Sequence, residues 1–210
     1  MRDIELMTFA WVDVLQPQVA GFLGTVCSGD PPLPGDAAVI FEVAPGMEVN
    51  RVIDATLKNT RCVPGLFVVE REFGVLQLHS RDHGQVREAG LRALQGLGLT
   101  EADRLAPVIT TSERITGVDP HHAQITNRMR HGNMQIPTDT LYVLETRPAG
   151  YALLAANEAE KAARVDIMEF RAVGAYGRVY LGGDDASIRI AAKAAEDALR
   201  ALSGRTRPAR

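Results

Sequence analysis

The sequence predicts an α+β protein built from two tandem copies of one small domain, each an antiparallel sheet covered by helices. Three observations carry this. First, shifting the 210-residue chain by 103 positions lays its halves over each other without a gap from Pro17 to Leu78. Pro17 then faces Pro120, Gly29 faces Gly132, Pro34 faces Pro137, Asp36 faces Asp139, Glu42 faces Glu145, Pro45 faces Pro148, Lys58 faces Lys161 and Gly74 faces Gly177. Prolines and glycines constrain the backbone, so their recurrence implies the same turns twice. Second, apolar runs and helical patterns follow one another in the same order in both halves. Third, hydrophobic residues make up 46% of the chain but aromatics only 5%. A core of Val, Leu, Ile and Ala suits helices packed closely on a sheet. A period near 100 is too long for a solenoid unit. The expected domains are 1–100 and 104–204, followed by a basic tail at 205–210.

Each half opens on an extended segment, "DIELMTFAWV" or "PVITTSERIT". A short helix follows a proline in "QPQVAGFLGT" and "DPHHAQITNR", since proline suits a helix's first turn. Asp119, before Pro120, is the expected N-cap of the second of these. Gly/Pro loops lead to strands at 37–44 and 140–147, then to helices near 47–60 and 150–163. Two strands joined by a turn come next, ending at 79 and 182. Ile188, Ala191, Ala192, Ala195 and Leu199 lie on one face of the last helix at a 3.6-residue period. The closing "SGRTRPAR" reads as a frayed basic tail.

The composition excludes several function classes. A formal charge of −3 provides no basic face for nucleic acid. No apolar run approaches the ~18 residues of a membrane span, and "MRDIELMTFAWVDVL" is too acidic for a signal peptide. Cys27 and Cys62 make neither a metal spacing nor a disulfide framework. His121 and His122 are adjacent and point about 100° apart on a helix, which makes them poor co-ligands; His131 falls in a nearby loop. Cys27 faces Arg130 in the repeat, so no nucleophile is duplicated. No phosphate loop, dinucleotide fingerprint or nucleophile elbow stands in a suitable setting. The expectation is therefore no catalytic residues, no metal and no cofactor.

The segments "LQPQVAGFLGT", "EVAPGM", "DATLK", "VVEREFG", "ANEAEKAA" and "GAYGRVYL" together resemble bacterial microcompartment shell domains. A strand and a helix at the start of each half, where that family usually ends, resemble its circularly permuted form. Two permuted copies resemble the trimeric tandem shell proteins, among them the carboxysome trimers with a gated pore. The resemblance implies a homotrimer of pseudohexagonal outline that tiles with other shell proteins into a cytoplasmic shell facet. It also implies that the hairpin turn at Glu70 and Arg71, with Arg171, Val173 and Gly174 in the second copy, lines a central pore for small metabolites. Three arginines ~6 Å apart would repel by roughly 2–3 kcal/mol per pair at an effective dielectric near 20. Glu70 would compensate, giving two arrangements of a gate. Lys58 and Lys161 would lie at the tile edge. The alternatives are a tandem-domain oligomer that binds a small regulatory molecule, and an enzyme using His121, His122 or Cys27.

Overall fold

The structure, a computed structural model, describes residues 4–206. The first half runs β1 (Glu5–Val12), α1 (Pro17–Val26), β2 (Ala37–Ala44), α2 (Val49–Asn59), β3 (Val63–Glu70), β4 (Phe73–Ser80) and α3 (His83–Leu97). The second runs β5 (Val108–Ile115), α4 (Pro120–Asn127), β6 (Thr140–Arg147), α5 (Tyr151–Ala162), β7 (Asp166–Arg171), β8 (Gly177–Gly183) and α6 (Asp185–Arg200). Strands β1 and β5, β2 and β6, and β3 and β7 start 103 residues apart. Each sheet is antiparallel, with orders β1-β2-β4-β3 and β5-β6-β8-β7. Even the cis peptide bonds recur, at Ala44–Pro45 and Arg147–Pro148.

Strand alternation sorts the first sheet's side chains between two layers. Phe9, Val39, Phe41, Leu76 and Leu78 pack with Val52 of α2 and Val86, Ala89 and Ala93 of α3. Ala10, Val12, Ala38, Ile40 and Val75 belong to the opposite layer. There they join Val19, Phe22 and Leu23 of α1 and a run from Tyr151 to Ala156 of α5. Each sheet is covered by helices as expected, and the first is covered on both faces. In the first domain the second face is buried too, partly by a helix of the other domain, and one apolar core crosses the domain junction.

The two outer strands differ sharply as a result. β1 is buried along most of its length, whereas the corresponding β5 is mostly exposed. Helix α5 packs on β1, but among the described residues no helix of the first domain packs on β5.

Hydrogen bonds hold this junction at both ends of α5. The Gly150 N–H donates to Glu42 at 2.9 Å, and Glu42 also accepts from the Thr8 hydroxyl at 2.7 Å. Asn157 accepts from the Gln16 N–H at 2.9 Å and donates to the Val14 carbonyl at 3.2 Å. Glu160 accepts from the Gln18 and Val19 N–H groups at 2.8 and 3.0 Å. α1 has no capping side chain of its own at Gln16, so Glu160 satisfies donors that a helix start otherwise leaves open. In α4 the expected cap is present: Asp119 accepts from the His121 and His122 N–H groups.

The segment read as a frayed tail is held in its first part. The Arg205 N–H donates to the Arg104 carbonyl at 2.8 Å, and its guanidinium reaches the Asp103 carbonyl at 2.7 Å. Buried Arg104 in turn donates to the Ser203 carbonyl at 2.8 Å. The segment from Ser203 to Arg205 is therefore bound to the interdomain linker; residues 207–210 lie outside the described residues.

Candidate functional site

The two hairpins flagged by the sequence have different turns. In the first, Glu70 pairs with Phe73, leaving Arg71 and Glu72 as a two-residue corner. Arg71 has φ 51, a left-handed conformation that glycine adopts with less strain. In the second, Arg171 pairs with Arg178, so the turn is wider. Gly174, the counterpart of Arg71, has φ 102. A left-handed corner is thus kept 103 positions apart, filled by Arg in one copy and Gly in the other.

The junction brings the hairpin tips together. A methyl group built on Gly174 would lie 3.8 Å from both carboxylate oxygens of Glu70. Glu70, Arg171, Val173 and Gly174 line one cavity of about 440 Å³ between the domains, floored by Phe22, Leu66 and Phe170. Phe22 and Phe170 lie 4.2 Å apart, centroid to centroid, across the junction. Arg71 is separate: it lines a groove with Glu5, Pro45, Met47 and Glu72. The structure therefore unites four of the five sequence-flagged hairpin residues and places Arg71 on another wall.

Electrostatics at the cavity centre on Glu169, which the sequence reading missed. Its mostly buried carboxylate takes the His131 ring nitrogen at 2.8 Å and the Arg171 guanidinium at 3.4 Å. The His131 N–H donates to it as well, at 3.0 Å. Glu169 lies in an ordinary strand, so no sequence signal marked it; its role follows from a fold that brings a loop and a strand together. Arg178 also lines the cavity and donates to Glu145 at 2.7 Å. That bond holds the Glu145 carboxyl below its usual range and raises the arginine.

The remaining candidates are placed as follows. Lys58 and Lys161 occupy the last turns of α2 and α5, where a cation opposes the helix dipole. Both are exposed, and among the described residues each pairs within its own helix, Lys58 with Asp54 at 2.7 Å and Lys161 with Glu158 at 3.6 Å. His121 and His122 are exposed at the start of α4, away from the cavity that His131 lines. Among the described residues no cluster of three His, Cys, Asp or Glu side chains is arranged to hold a metal ion. The Cys27 sulfur is set against the Gly24 and Gly29 carbonyls. Cys62 is buried, and burial pushes its thiol up. No helix is long and apolar enough to cross a membrane among the described residues.

Comparison with known proteins adds the following. Residues 6–103 match the CsoS1D N-terminal domain, and residues 140–206 match the BMC domain. The carboxysome shell protein CcmP of Synechococcus elongatus is 48% identical over 98% of this chain and 96% of its own. The carboxysome shell protein CsoS1D of Hydrogenovibrio crunogenus is 46% identical over 97% of this chain and all of its own. Among solved structures, the fused permuted hexameric shell protein from the RMM microcompartment superposes with a TM-score of 0.93. It is 46% identical, over 96% of this chain and all of that one. The double ringed trimeric shell protein from the same microcompartment gives a TM-score of 0.94 at 36% identity, over 98% of this chain and all of that one.

Proposed function

The chain belongs to the bacterial microcompartment shell proteins, as a fusion of two permuted shell domains with a structural role, and from that premise we propose that three copies close a ring that tiles into a shell facet. One observation carries the ring. The joint inside the chain is heterologous: α5 of the second domain covers β1 and α1 of the first. The equivalent surface of the second domain, β5 and α4, lies open, and it carries exposed Val108, Ile115, Ile125 and Met129. On the other end of the chain, α2 presents Asp54, Leu57 and, just before it, Met47 to solvent. Copy after copy, α2 of one chain takes on β5 of the next the place that α5 has on β1. Repeated heterologous contacts close into a ring when the rotation allows it.

In such a ring, three pairs of hairpin tips face the axis. Glu70, Arg71, Arg171, Val173 and Gly174 form a pore wall that small polar metabolites cross, and its six arginines against three Glu70 carboxylates favour anions over cations. Lys58 and Lys161 sit at the rim, against neighbouring shell proteins. The two domains are bounded near 1–100 and 104–204, and the site of action is a microcompartment shell in the bacterial cytoplasm. The test is native mass measurement: the expected species has three times the 22.7 kDa chain mass. A stable monomer or dimer at micromolar concentration overturns the ring.

A further inference from the structure

The filled joint and the open one differ in chemistry at one slot, and the difference is complementary. Inside the chain, Gln18 of α1 fills a slot on the second domain. Its side-chain N–H donates to the Val165 carbonyl at 2.7 Å. Its side-chain oxygen accepts from the Ile167 N–H at 2.9 Å and from the Asn133 amide at 2.8 Å. A carboxamide suits a slot that offers one acceptor and two donors.

The 103-residue repeat carries this slot to the joint between copies. Gln18 becomes His121, while Val165, Ile167 and Asn133 become Cys62, Pro64 and Asp30. The slot's frame is the same in both domains. The Asp30 N–H donates to the Pro64 carbonyl at 2.9 Å, as the Asn133 N–H does to the Ile167 carbonyl at 2.8 Å. Its hydrogen-bonding groups are changed, however. Proline has no N–H, and a carboxylate only accepts. The first domain's slot therefore presents a carbonyl and a carboxylate. A glutamine there would turn its oxygen on one of these acceptors, whereas a protonated imidazole has two donors and no acceptor. His121 and Asp30 are both exposed in the single chain. The start of α4 is fixed by its own Asp119, which leaves the His121 side chain available.

We propose that His121 of one copy plugs the slot of the next, donating one ring N–H to the Cys62 carbonyl and the other to the Asp30 carboxylate. This rests on the ring reading and deepens it by naming a contact between subunits that depends on pH. Other titratable or charged groups belong to the same place: Asp119 and His122 on α4, and, in the neighbouring copy, Arg61 beside Cys62, Asp54 of α2, which its own helix already pairs, and buried His79, on which Asp30 acts. The imidazole donates from both nitrogens only while it is protonated. The contact is therefore stronger on the acid side of the ordinary histidine pKa of about 6.5 than on the basic side.

The test is dissociation on dilution, followed by mass photometry at pH 6 and pH 8. The wild type is expected to be a trimer that is tighter at pH 6. His121→Ala and His121→Gln should each weaken every joint about tenfold at pH 6, the ratio for about 1.4 kcal/mol, and remove the pH dependence. Combining His121→Gln with Asp30→Asn restores two of the three bonds of the filled slot, the one to the carbonyl and the one between amides, though Pro64 still lacks the third donor, so it should bind more tightly than either His121 variant and without pH dependence. A trimeric wild type with His121→Ala unchanged in affinity and pH profile overturns the proposal and leaves the ring standing. So does a double variant as weak as the single ones. A wild type that never forms trimers overturns the ring itself, and this contact with it. Melting curves of each variant monitor the fold, which exposed positions such as these leave intact.

Discussion

Glu160→Ala tests whether the two domains fold as one unit. Glu160 belongs to the second domain, yet its two carboxylate oxygens take the N–H groups of Gln18 and Val19 in the first, at 2.8 and 3.0 Å. Loss of an N-cap costs about 0.5–2 kcal/mol, and hydrogen bonds to charged groups contribute about 1.5–3 kcal/mol each. Glu160 is only half-buried, so solvent screening reduces the upper figure, and about 2 kcal/mol is expected. For a chain of 210 residues, 1 kcal/mol shifts the melting temperature by about 2–4 °C. The expected drop is therefore about 4–8 °C. The assay is calorimetry at fixed protein concentration, with Glu158→Ala as the control. Glu158 pairs with Lys161 at 3.6 Å and accepts from Asn157, both on its own helix, so its loss should cost under about 1 kcal/mol. A drop in Glu160→Ala no larger than in the control would refute the claim that a carboxylate from one domain caps a helix of the other.

Three further outcomes are expected. Arg71→Gly should keep the fold, or stabilise it by up to about 1 kcal/mol, because φ 51 suits glycine. It should also raise ion conductance through the trimer in a planar membrane; unchanged conductance would remove Arg71 from the pore wall. Lys58→Asp with Lys161→Asp should leave trimers intact, since each lysine loses only an exposed pair worth about 0.2–1 kcal/mol, but should stop sheets forming; normal sheets by electron microscopy would end the edge assignment. Finally, burial lowers the His79 pKa against the pull of Asp36 and Asp30. A histidine whose folded pKa is depressed contributes stability that is present above the ordinary value near 6.5 and lost as pH falls through the lowered one. Urea midpoints should fall between pH 7 and 5 more steeply in the wild type than in His79→Gln, and equal slopes would contradict this.

The duplication, the order of its elements and the strand limits at 37–44 and 140–147 were legible in the amino-acid sequence. They rest on local chemistry that the chain carries wherever it goes: prolines and glycines that bend it, alternation that makes a strand two-faced, an Asp before a Pro that starts a helix. The charged hairpin at Glu70 was legible for the same reason. What joins the halves was not. Glu160 reads as one more exposed helix residue until α1 is seen to end on it, and Glu169 as one more strand residue until His131 and Arg171 close on it. β1 reads "ELMTFAWV" and β5 "VITTSERI", so the more apolar strand is the buried one, but nothing in either names the surface that covers it. That difference depends on which surface lies against α5, and contacts between residues more than a hundred positions apart leave no period in the chain. The sequence determined two copies of a domain; only the tertiary structure decided that one joint between them is filled and its twin is open, because burial at a joint belongs to the pair of surfaces and not to either strand.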